Sequence, residues 1–319
     1  MSRGIEVRVE RSNFTPRDEV TENRFNILLE FEVSVPSNSY VFIGGMTRGL
    51  GSWLSSLQSK IEQHARGLKP VDENTIMREF GGLFEMQRLR GVTEFLKYGQ
   101  NYAIPGSSLK GAIRSRVEYK FKLFQVGAEY RSYSCYVAQN PWPSSPTSPH
   151  VKFWGEDVIY TRPTCFPPQV CAVCDLFGCP SLSSRVHFTD ALMTAGQVQY
   201  VNELRREAAL PGSKFKTSVH LMNSDFSDLG LLFLGMEHFT SSPILIGAFK
   251  YRFNEKLGRE RLRNRYSTGL LRFELQSFKP LLGDFPSDVI SCNTLINRAR
   301  EKLLEKYGNY VDIQRGVLP

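Results

Sequence analysis

No run of apolar residues in this 319-residue chain is long enough to span a bilayer. The opening MSRGIEVRVERS lacks the apolar core of a signal peptide. Both absences argue against a membrane or exported protein and predict a soluble, cytoplasmic one. No GxxxxGK[ST] segment is present, which excludes the common phosphate loop. Histidine is scarce, with five residues, so acid–base chemistry has few candidates. His64, His187, His220 and His238 show no paired spacing, and each reads as a surface or satisfied core histidine. Aspartate is almost missing between Gly44 and Pro105, where Asp72 stands alone.

Apolar residues make up 41% of the chain and aromatics 12%, enough to fill a substantial core and to exclude a disordered chain. The net charge is +8, which favours a polyanionic partner, either nucleic acid or an acidic membrane. Six cysteines in a cytoplasmic chain, four of them crowded together, suggest a metal rather than disulfides.

The stretch NYAIPGSSLKGAIRSRVEYKF, residues 101–121, organises the rest. Pro105-Gly106 forces a turn, and Ser107 or Ser108 can cap a following helix. Leu109, Ile113, Val117 and Phe121 recur at every fourth position and form one apolar stripe. Lys110, Arg114 and Arg116 lie off that stripe. A helix entrance with orphan N–H groups, hydroxyls and cations suits a phosphate. An ordinary capped helix with a solvated basic face fits the same residues.

Around it, RFNILLEFEVSV alternates cleanly, with Phe25, Ile27, Leu29, Phe31, Val33 and Val35 on one face of a strand. KFKTSVHLMN and YSTGLLRFELQSF read as further strands, and LGLLFLGMEHF as a buried helix. The region 195–210 reads as polar and charged, and residues 294–307 as a C-terminal helix. The resulting order is strand, helix, strand, strand, helix, strand, with insertions. It predicts an α+β fold with a ferredoxin-like (RRM-like) core. Residues 46–98 form a helical insertion, 122–180 a loop and zinc-knuckle insertion, and 250–266 a basic loop.

Cys165, Cys171, Cys174 and Cys179 fall within TCFPPQVCAVCDLFGCP. The Cys171–Cys174 pair is a knuckle whose thiolates can reach one tetrahedral ion, and four thiolates would make a closed, structural zinc site. Cys179 is the weakest of the four, and His150 or Cys135 could replace it. Buried free thiols are the alternative. Near the end, Lys250, Arg252, Lys256, Arg259, Arg261, Arg263 and Arg265 alternate with Tyr251, Phe253 and Tyr266. Cations for phosphates beside aromatic faces for bases suit single-stranded RNA; a solvated hairpin is the bland alternative.

Three of these strings carry a resemblance. IPGSSLKGAIRS is similar to the signature helix start of the RAMP superfamily, the RNA-binding subunits of CRISPR–Cas effectors. CAVCDLFG followed by SSRVHFTDA looks like the middle of type III members, with Arg185 and Asp190 matching; Asp190 reads as a turn or cap acid. IGAFKYR and YSTGLLRFEL resemble the flanks of the family's glycine-rich loop, although Gly247, Gly258 and Gly269 are more widely spread here.

The resemblance implies a single RAMP domain over 1–319, serving as a backbone-type subunit of a type III complex in antiviral defence. Such a subunit binds guide RNA through Ser107, Ser108, Lys110, Arg114 and the basic loop, helps hold target RNA, and stacks with other effector subunits in a filament. Cutting members of the family carry an aspartate upstream of the signature helix. Here only Asp72 and Glu94 are candidates, which favours a subunit that does not cut. The alternatives are a target-RNA-cleaving subunit, metal-dependent if so, and a free-standing endoribonuclease that processes guide precursors.

Overall fold

In this computed structural model the described residues are 5–43, 94–135, 158–159, 165–201, 206–247 and 267–315. The alternation read at 25–35 becomes strand β1 (Phe25–Ser34), whose odd-numbered residues are fully or almost fully buried. It lies at the middle of an eight-stranded sheet. The other strands are β2 (Lys97–Tyr98), β3 (Asn101–Ile104), β4 (Val186–Phe188), β5 (Ala191–Ala195), β6 (Lys214–Ser224), β7 (Ile244–Leu245) and β8 (Leu270–Gly283). The spatial order is β7-β8-β1-β6-β5-β3-β2, with β4 also paired to β6, and every pairing is antiparallel. Phe215, Val219 and Leu221 of β6 and Phe273 and Leu275 of β8 join β1 on the buried face.

Four helices are described: α1 (Gly106–Lys120), α2 (Ala172–Phe177), α3 (Phe226–Gly235) and α4 (Cys292–Tyr307). The stripe Leu109, Ile113, Val117 and Phe121 is fully buried, in one continuous core with β1 and β6. Burying such side chains is worth about 1.5–3 kcal/mol each. Asp225 and Ser291 start α3 and α4 with capping boxes. Two glycines let α3 sit close to both neighbours. A Cβ on Gly235 would lie 2.7 Å from Ile113 and Val117 of α1, and one on Gly230 would lie 2.5 Å from the Ala299 carbonyl of α4.

Smaller pieces position particular residues. Ile5–Val9 pairs in parallel with Glu129–Ser132, which leads into Cys135. Ser12–Asn13 pairs with Gln169–Val170, just before Cys171. The 195–210 region, read as merely polar, holds an antiparallel hairpin of Val198–Val201 and Arg206–Ala209. Residues 46–93 of the expected helical insertion and the whole 250–266 loop lie outside the described residues.

Candidate metal centre and nucleic-acid interface

Helix α1 starts two residues earlier than a cap at Ser107 would place it. Pro105 occupies the N-cap position without a side-chain bond, so neither Ser107 nor Ser108 caps the helix. The cap comes from far along the chain: the Gly106 N–H donates to Asp190 Oδ1 at 2.7 Å. Asp190 is thus a cap acid, as its sequence context indicates. It also hydrogen-bonds the exposed Tyr98, which raises that phenol. Gly106 must be glycine here, because a Cβ would lie 2.4 Å from the Phe188 carbonyl oxygen.

The expected set of free N–H groups is correspondingly smaller. Ser108 and Leu109 N–H both donate to the Pro105 carbonyl, which leaves Ser107 N–H as the first-turn donor without a partner among the described residues. Ser107 is exposed, Ser108 and Lys110 are half-buried, and no ion pair among the described residues engages Lys110. The entrance therefore offers a hydroxyl, one N–H and an ammonium, backed by a carboxylate already in place.

The other two cations of α1 do different work. Arg114, expected at a phosphate, donates to Glu118 Oε1 at 2.8 Å, to the Gly178 carbonyl at 2.7 Å and to Cys174 Sγ at 3.5 Å. Three of its five donors are spent fastening α1 to the cysteine knuckle. Arg116 reads as part of the polar side, yet it is 4% exposed and donates to Glu237 Oε1 at 2.5 Å. It also reaches the Arg315 carbonyl. Lys120 is fully buried, with Nζ 2.9 Å from Glu237 Oε2 and 2.6 Å from the Ile313 carbonyl. Burial lowers Lys120, against the raising effect of Glu237.

The cysteine cluster forms where α2 begins. Cys171 is the N-cap, and its Sγ accepts from Cys174 N–H at 3.5 Å and from Cys135 N–H at 3.3 Å. Cys165 Sγ accepts from Cys171 N–H at 3.3 Å. The sulfurs of Cys135, Cys165, Cys171 and Cys174 all lie within 4.8 Å of one another, and all four residues are buried. Cys135 and Cys174 Sγ are 3.4 Å apart, far beyond the disulfide length of about 2.05 Å. A tetrahedral zinc with bonds of about 2.3 Å needs sulfurs about 3.8 Å apart.

Four buried cysteines this close can bind a metal ion such as zinc, and the N–H donors suit thiolates. Neighbouring thiols, Cys165 first for Cys135 and Cys135 first for Cys174, hold both thiols up, with burial adding to the effect. A cation would reverse that tendency.

The cluster differs in one member from the four cysteines read along the sequence. Cys179 stands outside the cluster, held in a tight turn by reciprocal backbone bonds with Leu182. Cys135, the alternative, takes its place. His150 lies outside the described residues.

Next to the cluster, Arg185 is fully buried and binds Asp228 at 2.8 and 3.0 Å and Asp175 at 2.7 Å. Asp175 also holds Thr15 and Arg17, tying the N-terminal segment to the knuckle. Burial would raise Asp228, but Arg185 and Arg24 outweigh it and keep the carboxylate ionised. Arg185 is therefore an internal strut.

The sequence model of the RAMP superfamily matches residues 88–310, well over half of the chain. The chain belongs to the RAMP superfamily. No curated protein matches it. Membership points to a CRISPR-associated RNA-binding subunit. The RAMP match takes in α1, the cysteine cluster and Arg185, and it begins after β1. No helix among the described residues of this RAMP protein is long and apolar enough to cross a membrane.

Of the remaining candidates, Asp72, Lys250, Arg252, Arg259, Arg261, Arg263 and Arg265 lie outside the described residues. Residues on either side of the basic loop are described: Gly247 and Gly269 both have positive φ and adjoin the paired strands β7 and β8. Glu94 is half-buried just ahead of β2 and its charge is felt at Lys97.

Two histidines depart from the sequence reading of satisfied residues. His220 and His238 each have a buried Nε2 with no hydrogen-bond partner among the described residues. Burial, and then His187, lower His220; burial alone lowers His238 to about 4.

Proposed function

We propose that this chain is a guide-RNA-binding backbone subunit of a type III CRISPR ribonucleoprotein, which helps hold target RNA without cutting it. The observation that carries this is the entrance of α1, where exposed Ser107 and Lys110, which has no ion pair among the described residues, stand at an anchored helix start of a RAMP protein. Helix dipole, N–H and ammonium together favour a phosphate whatever base it carries. Ser108 and the cations from Lys250 to Arg265 extend that surface, and Arg114 serves the knuckle instead.

On this reading the chain is one RAMP domain with excursions at 46–98, 122–180 and 250–266. Its core is ferredoxin-like, supported by the strand order β8-β1-β6-β5 and by α1 and α3 packed on the buried face. The cysteine cluster holds a structural zinc, with no position left open for water. Its partners are guide RNA, target RNA and neighbouring effector subunits in a cytoplasmic filament that serves antiviral defence. The non-cutting assignment rests on the sequence, where Asp72 is the sole aspartate between Gly44 and Pro105.

The test is RNA binding followed by fluorescence anisotropy across a salt series. Joint replacement of Lys110 and the loop cations by alanine is expected to weaken binding equally for unrelated RNA sequences. The salt slope should flatten by about 0.7 for each phosphate that is no longer neutralised. Unchanged affinity and slope would overturn the proposal.

A further inference from the structure

The register of β4 on β6 sets His187 directly opposite His220. Directly opposed residues of an antiparallel pair project from the same side of the sheet, with Cβ atoms about 4.5–5.5 Å apart. That side faces away from the core: Val186, Val219 and Leu221, which alternate with the two histidines, are fully buried. His187 is exposed and His220 half-buried. The same outward face carries the Lys216–Glu30 and Lys214–Glu32 pairs, so its nearby lysines already have carboxylate partners. His220 Nε2 is buried and has no hydrogen-bond partner among the described residues. A buried polar atom left this way costs about 1–3 kcal/mol. A ligand supplied from outside the chain would remove that cost.

We propose that His187 and His220 form a two-imidazole site for a late first-row divalent ion, of the class of zinc, nickel or cobalt, on the outward face of the sheet. Imidazole suits these ions. Metal–nitrogen bonds of about 2.0–2.1 Å require the two nitrogens to approach to about 3 Å, within reach of two rings on opposed Cβ atoms. Two protein ligands leave other positions open to water or to an anionic oxygen such as that of a phosphate. The site differs in this from the four-cysteine cluster, which is closed, and it shares no residue with it.

The experiment titrates Ni²⁺ calorimetrically into the full chain, free of any affinity tag, with the cysteines filled with zinc and weakly held zinc dialysed away until about one zinc per chain remains. Zinc content is measured before and after. Wild type is expected to take up one Ni²⁺ without losing zinc. His187→Ala should weaken that uptake about tenfold or more, because the second arm of a chelate binds intramolecularly. His187 is exposed, so the fold should survive, with circular dichroism as the check; His220→Gln is the second variant. The proposal is overturned if wild type binds no Ni²⁺ beyond its zinc, or if either variant binds it as tightly as wild type.

Discussion

Replacing Glu237 by glutamine probes the least expected feature of α1, its buried cations. Glu237 is 2% exposed and its carboxylate is shared by Arg116, Lys120 and the Thr240 hydroxyl. Arg116 and Lys120 are themselves 4% and 0% exposed. The amide keeps the shape and removes the negative charge that faces both cations. Losing one member of a buried ion pair costs about 3–5 kcal/mol, because its partner stays desolvated and unpaired. That is a large share of a typical stability of about 5–15 kcal/mol.

The deficit should depend on pH in a definite direction. Burial already lowers Lys120 from its ordinary 10.5, and without Glu237 it falls further. The folded variant then disfavours the charged lysine, a penalty that is full at neutral pH and fades as pH rises toward 10.5, where the unfolded chain also loses the proton. Urea unfolding followed by circular dichroism should therefore show a deficit of about 3 kcal/mol or more at pH 7 that narrows at pH 9.5. Adding Lys120→Met should recover part of it. A deficit below about 1 kcal/mol at pH 7 would refute the buried network.

Three further outcomes are expected. Cys135→Ser should cost the protein its zinc and lower its thermal midpoint while Cys179→Ser leaves both unchanged, as read by elemental analysis and calorimetry, because metal binding energy is folding energy. Gly106→Ala should destabilise the chain by about 1–3 kcal/mol, since its Cβ meets backbone oxygens rather than a flexible side chain; urea unfolding measures it. His238, lowered from 6.5 to about 4, is neutral in the folded state, so stability present above pH 6.5 is lost as pH falls toward 4. That decrease should total up to about 3 kcal/mol, and His238→Phe should remove most of this acid sensitivity.

What was legible in the sequence follows the range of the interactions involved. The alternation at 25–35 and the four-residue stripe of α1 are local patterns, and a core-facing strand and helix follow from them directly. The cap of α1 is not local. Its carboxylate comes from Asp190, so two nearby serines pointed to the wrong cap.

Arg116 looks solvated along the chain because its counter-ion, Glu237, lies more than a hundred residues away. Cys179 is near the knuckle in sequence but turns off after Gly178, while Cys135 arrives from the end of a separate strand pair. The strands of the 198–209 hairpin are only 4 residues each, too short to show a clean alternation. The His187–His220 pair exists only in the register of two strands. Pairings that depend on register leave no periodic trace in either strand alone.

The central claim is that the α1 entrance of this RAMP protein holds an RNA phosphate. An electron-microscopy map of the chain assembled with guide RNA and its partner subunits tests it most directly. A guide phosphate is expected to touch Ser107 and Lys110, with Asp190 still on the Gly106 N–H and Arg114 still on the knuckle. A map in which the RNA backbone runs elsewhere and leaves that entrance bare would contradict it.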